Sequence, residues 1–314
     1  MENLIFITSL VAPVFIIVAV GYLLRKLKMI DDGFVKLSSA IVFNVSLPAL
    51  IFKEIALLDI SQIFNPQIIV FIYTGTVLVF IFSWAVSIPL VKLLKDRTVF
   101  IQGAFRGNFA IVGLAIIANL YGNSILGKAA LVLAFTIPLY NFLSVIALTV
   151  PLRKEQATRK RDLFFRIISN PLILAVVASL PFSYLKIEIH PVLLDTVDYL
   201  ADLSIPLALI GIGGFMSFKE VKNGLKISLI STFIKLIFTP FIITYIAYLI
   251  GFTGTDLGII FILFACPTAI ASFIMAEAMG SNSKLAANIL LITTLGSVVT
   301  MTLGLFVLKE FGLI

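Results

Sequence analysis

Apolar residues run along this chain in stretches of about twenty, the length a helix needs to cross the hydrocarbon of a bilayer. Ten such runs occur, over residues 4–24, 34–56, 67–91, 99–120, 129–150, 167–185, 193–216, 227–250, 257–278 and 285–308. The pattern predicts an all-α membrane protein of ten transmembrane helices, with too little chain left over for a soluble domain. The longest polar stretch, RKEQATRKRD from Arg153 to Asp162, divides the runs into two sets of five. The first run begins at Leu4 behind Glu2, and its basic flank RKLK follows it, so it reads as a span and not as a cleavable signal.

Polar residues inside the runs break the pattern in a repeated way. Asn44, Ser46 and Pro48 in FNVSLPALIF return as Asp202, Ser204 and Pro206 in ADLSIPLALI, a shift of 158 residues. The same shift carries Tyr121-Gly122-Asn123 onto Met279-Gly280-Ser281, the ends of runs 4 and 9. Two matches at one offset suggest a duplicated five-span unit. Five is odd, so the second copy lies upside down relative to the first. Inverted repeats are an architecture of secondary transporters, with the substrate site near the midplane where the repeats meet. The expected organisation is residues 1–152 as the first repeat, 153–166 as a cytoplasmic basic linker and 167–314 as the second repeat.

Charge orients the spans. With the N-terminus outside, inside loops carry seventeen Lys and Arg and outside segments only Lys53, Lys128, Lys186 and Lys309. That asymmetry favours a plasma-membrane protein with both termini outside. The remaining two cations, Arg106 and Lys235, fall within spans. Composition agrees with the membrane class: the chain is 61% hydrophobic and 12% charged, with mean hydropathy +1.16. One Cys and one His exclude a disulfide framework and any multi-ligand His/Cys metal site. The pI near 9.4 reflects short loops between spans, not a nucleic-acid surface.

Helix breakers locate the candidate chemistry. Pro48 and Pro206 lack an N–H and displace the carbonyl four residues earlier, so the freed groups need partners that lipid cannot give. Asn44, Ser46, Asp202 and Ser204 either supply those partners in a packing kink or face a wet cavity. In FRGNFAIVGLAI, run 4 carries Arg106 and Asn108 among Gly103, Gly107 and Gly113. A break there exposes N–H groups that attract an anion. Its counterpart in run 9 is FACPTAIASF, where Pro267 suits the first turn of a second half-helix and Thr268 and Ser272 share a face. Arg106 either snorkels to the headgroups or balances an anion, substrate or Asp202. Asp202, Glu277 and Lys235 are the candidates for handling a coupling ion, and Asn141 chooses between an interhelical bond and the site. Cys266 reads as a packing residue. There is no nucleophile with a base and orienter, no phosphate loop and no carboxylate pair at helical spacing, which argues against a membrane-embedded enzyme.

At these residues the chain resembles the auxin efflux carrier family of permeases, which includes the plant PIN exporters. The likeness rests on NVSLPALIF, FRGNFAIVG, PLYN, SNPLIL, ADLSIPLALIGIGGFM, CPTAIASFIMAEAMG and LAANILLITTLGSVVT. The short linker at Arg153 stands where plant members have a long loop, as in the prokaryotic branch. The resemblance implies ten helices in two inverted repeats, with broken helices 4 and 9 crossing, a fold like that of the bile-acid symporters. Spans 1, 2, 6 and 7 would form a scaffold, and spans 3–5 and 8–10 a mobile transport domain. Asn108, with Gly107 beside it, and the backbone around Pro267 would meet a substrate carboxylate. Asn44, Ser46, Asp202 and Ser204 would line the scaffold side. This chain has no proline at the first crossing, where plant members have one. The implied activity is secondary transport of small carboxylates such as auxin, malonate or malate by an elevator-like cycle. The coupling ion is left open between H⁺, Na⁺ and none, and no cofactor is expected. The expected partners are the carboxylate and membrane lipid, with a homodimer open and no nucleic acid. A channel or a non-transporting ligand sensor are the rival readings.

Overall fold

A computed structural model describes residues 2–57, 66–152, 171–215 and 224–314. The linker 153–166, with its Lys and Arg, and Lys219 and Lys222 lie outside the described residues. Within them the regular structure is all helical, the sole extended pairing being one isolated bridge between Gly107 and Thr268.

The chain begins with α1 (Glu2–Lys26). α2 (Asp32–Ile41) continues through a π-helical turn, Val42–Ser46, into α3 (Leu47–Ala56). α4 (Pro66–Leu90) and α5 (Leu94–Phe105) follow. After an interruption, a second π turn, Phe109–Gly113, leads into α6 (Leu114–Tyr121), and α7 (Asn123–Thr149) is a long helix. Then come α8 (Pro171–Leu185), α9 (Pro191–Asp202), α10 (Ser204–Phe215) and α11 (Leu225–Phe233). A third π turn, Ile234–Phe238, joins α11 to α12 (Thr239–Ile250). α13 (Gly254–Ala265), α14 (Ile270–Ala278) and α15 (Ser283–Glu310) complete the chain.

Among the described residues, five helices are long and apolar enough to cross a membrane: Asp32–Lys53, Pro66–Leu90, Ser124–Thr149, Leu225–Ile250 and Ser283–Glu310. These fall in runs 2, 3, 5, 8 and 10; runs 4, 7 and 9 are divided, and the described part of run 6, Pro171–Leu185, is only 15 residues long. Run 7 is cut at Leu203, run 4 after Phe105 and run 9 after Ala265.

The prolines explain two of the π turns. Pro48 cannot donate, and its ring crowds the carbonyl four residues back. The chain widens by one residue instead, and Leu47 N–H reaches back to Val42 O. Pro240 acts alike, with Thr239 N–H donating to Ile234 O. Pro206 is handled differently: the helix stops at Leu203, and the Ser204 hydroxyl donates to Ala201 O at 2.6 Å.

Glycines set the closest packing. α1 and α10 touch backbone to backbone, with Gly21 against Ile210 and Gly213 against Val18 and Tyr22. α3 packs on α8 and α9, and Lys53 pairs with Asp198 across that seam. α5 packs on α4, α7 and α11, and α15 runs along α5, α11 and α14. Gly122 and Gly280, 158 residues apart, both take positive φ, 72° and 70°, at the ends of α6 and α14.

A methyl group at position 213 would sit 1.9 Å from the Val18 carbonyl oxygen, which belongs to backbone and cannot swing away. Gly213→Ala is therefore expected to cost about 1–3 kcal/mol, read as a lower thermal midpoint in detergent. Gly296→Ala meets side-chain ends, Leu236 Cδ1 at 3.0 Å and Thr232 Cγ2 at 3.9 Å, and should lower the midpoint less.

Candidate functional site

The two interruptions lie against each other. α5 ends where Arg106 takes extended backbone angles (φ −86°, ψ 113°), and α13 ends where Cys266 does the same (φ −52°, ψ 142°). Asn108 N–H donates to Pro267 O at 2.7 Å, and Ala269 N–H donates to Arg106 O at 3.3 Å. Each break thus supplies partners to the other, as it must in a medium without water. Gly107 makes the approach feasible: even a methyl group there would lie 3.0 Å from Leu263 O. The Gly103 carbonyl, whose helical partner would be Gly107 N–H, accepts instead from the Thr268 hydroxyl at 2.7 Å. Thr268 N–H in turn donates to Thr293 Oγ1 on α15 at 3.2 Å.

Beside this crossing is a cavity of about 150 Å³. One wall is Arg106 to Ile111, and another is Ala269 to Ala271 at the start of α14. A third is the α7 face that carries Leu133, Ile137, Tyr140 and Asn141, and a fourth comes from Val42, Phe43, Leu47 and Ala208. Most of this lining is apolar. Its polar content is concentrated at Arg106, Asn108, Tyr140 and Asn141.

Arg106 is only 7% exposed, so it does not snorkel out of the protein. Its Nη1 donates to Ser144 Oγ and Met275 Sδ, each at 3.0 Å, and its Nη2 donates to Asn141 Oδ1 at 2.9 Å. Nε is buried with no partner. Every acceptor is neutral, and among the described residues no carboxylate pairs with this guanidinium. A buried cation without a counter-charge costs several kcal/mol. That cost would be offset by an anion brought within reach of the guanidinium. Two helix starts, at Asn108 and Ala269, add partial positive charge on the same cavity.

The chain matches the membrane transport protein family over residues 6–305. It belongs to that family, the auxin efflux carriers. The carrier is thus a multi-pass membrane transporter. A relative from Rhizobium meliloti, named "Putative malonate transporter", is 25% identical over 313 residues, covering 98% of this chain and 97% of that one. Uncharacterized transporters from Methanothermobacter thermautotrophicus and Methanocaldococcus jannaschii are each 22% identical, over 304 and 308 residues. The first match covers 96% of this chain and 98% of the relative, the second 94% and 96%.

In the carrier, Arg106, Gly107, Asn108 and Asn141 come together at the cavity. Pro267 and Thr268 lie behind it and build the crossing, through the proline carbonyl and the threonine hydroxyl. Ser272 is buried with an unpartnered Oγ but does not line the cavity. Ser46 is likewise buried and unpartnered. Asn44 is exposed, returns its amide to Ala40 O at 2.8 Å, and borders a separate shallow groove with Pro48 and Val197. Asp202 is exposed at the end of α9, and Ser204 is used locally. The Glu277 side chain lies outside the described residues. Sequence reasoning missed Ser144, Met275, Tyr140 and Thr293. Only Ser144 had a local signal, three residues after Asn141 and so on the same helix face.

Arg106→Gln is expected to abolish stabilisation by a small carboxylate in a thermal-shift titration, a loss of about 2–5 kcal/mol of binding. Asp202→Asn should leave that titration within about twofold, a small change on the scale where 1.4 kcal/mol is tenfold.

Proposed function

We propose that this carrier moves a small carboxylate anion across the plasma membrane by elevator-type alternating access. One observation carries the reading: Arg106, buried and without a counter-charge among the described residues, lines a small, mostly apolar cavity at a crossing of two broken helices. An arginine presents a planar fork suited to a carboxylate. A cavity of about 150 Å³ admits a molecule about the size of benzene, which favours malonate over a bulkier auxin in this conformation. The name of the Rhizobium relative supports the same choice.

The architecture we infer is ten spans in two inverted five-span repeats, with both termini outside. The 158-residue offset supports it, as do the matched positive φ values of Gly122 and Gly280. Polar pairs join ends that the alternation puts on one side: Lys53 with Asp198, Lys128 with Asp256, and Asn282 with Asp96. Two groups of helices are inferred: α1 packs on α10, and α3 on α8 and α9, as a scaffold would, while α5 packs on α7, α11 and α15, as a transport domain would; α1 against α15, and α7 against α3 and α8, join the two. The cavity takes Val42, Phe43, Leu47 and Ala208 from the first group and Arg106, Asn108 and Asn141 from the second. A solute held there sits at the seam along which one group slides past the other.

Purified protein in liposomes loaded with unlabelled malonate should take up labelled malonate saturably, and Arg106→Gln should remove that exchange. Uptake that rises linearly with concentration and ignores internal malonate would mean a channel. Binding without any flux would mean a sensor.

A further inference from the structure

Lys235 is the second buried cation of the core, with 0% exposure, and the anion cavity does not use it. It lies on the π turn Ile234–Phe238 that Pro240 enforces, and its Nζ donates to Phe264 O at 2.9 Å. Among the described residues it has no carboxylate partner. Its place follows from the break. The last carbonyls of a helix lack intrahelical donors and carry the negative end of the dipole. In α13 that deficit is deepened: Leu263 O would look to residue 267, a proline without an N–H, and Phe264 O would look to Thr268 N–H, which goes to Thr293. The orphaned carbonyls are sealed inside the protein against Gly107, whose added methyl would lie 3.0 Å from Leu263 O and 3.1 Å from Lys235 Nζ.

We propose that the Lys235 ammonium is a resident cation of the crossing, occupying the place where a monovalent metal ion would otherwise be needed to neutralise the carbonyl end of α13. The carrier then needs no Na⁺ at this position, and deleting the ammonium turns the position into a binding site for a small monovalent cation. This deepens the transport reading by excluding one coupling ion at the crossing, and it rests on that reading only for its consequence in the cycle.

The test is thermal stability of purified full-length protein, without substrate, in NaCl, NH4Cl or choline chloride at equal ionic strength. The wild-type midpoint should be the same in all three. Lys235→Ala should melt several degrees lower in choline and regain part of the loss in Na⁺ or NH4⁺, rising with concentration as a bound ligand requires. Lys235→Met, which fills the volume without the charge, should be destabilised and indifferent to the salt. A wild-type midpoint that rises with Na⁺ over choline overturns the proposal and needs no variant to fold. So does a Lys235→Ala protein that ignores every cation. Neither result depends on malonate, so failure of carboxylate transport and failure of the resident cation are read separately.

Discussion

A break in a helix inside a membrane leaves backbone donors and acceptors that neither lipid nor water can satisfy, and the core of this carrier is arranged around meeting that demand. Each interruption completes the other, through Asn108 N–H to Pro267 O and Ala269 N–H to Arg106 O. What the pairing leaves over is taken by side chains: the Thr268 hydroxyl for Gly103 O and the Lys235 ammonium for Phe264 O. Gly107 is small because two carbonyl-bearing turns must come within contact of it. The helix starts that leave the crossing both line a common cavity.

The two buried cations differ in what holds them. Lys235 is bound to the carbonyl end of a half-helix and does not line the cavity. Arg106 is held by weak neutral acceptors, including a thioether, keeps one buried donor unpartnered, and lines the cavity. On the proposed reading, a carboxylate entering the cavity would exchange the poor acceptor for a charged one, and affinity would come from relieving that electrostatic situation and not from a large contact area.

The breaks were legible in sequence because glycine and proline act locally. FRGNF and FACPT mark interruptions that the structure places at 106–108 and 266–269. NVSLP marked a distortion, but its form, a one-residue widening with Asn44 turned back to Ala40, depends on how α3 packs on α8 and α9. Arg106 was visible and its surroundings were not: Asn141, Ser144 and Met275 lie 35, 38 and 169 residues away. The same holds for Lys235, whose acceptor is 29 residues on. Asp202 drew notice as a carboxylate in an apolar run, yet run 7 ends its first helix there and leaves it exposed.

The most direct measurement is an experimental density map at side-chain resolution with malonate present. It should show spans 4 and 9 interrupted and joined at Gly107 and Thr268, with anion density within hydrogen-bonding distance of the Arg106 guanidinium. Continuous, separated helices in those spans, or a protein carboxylate seated on that guanidinium, would contradict the account.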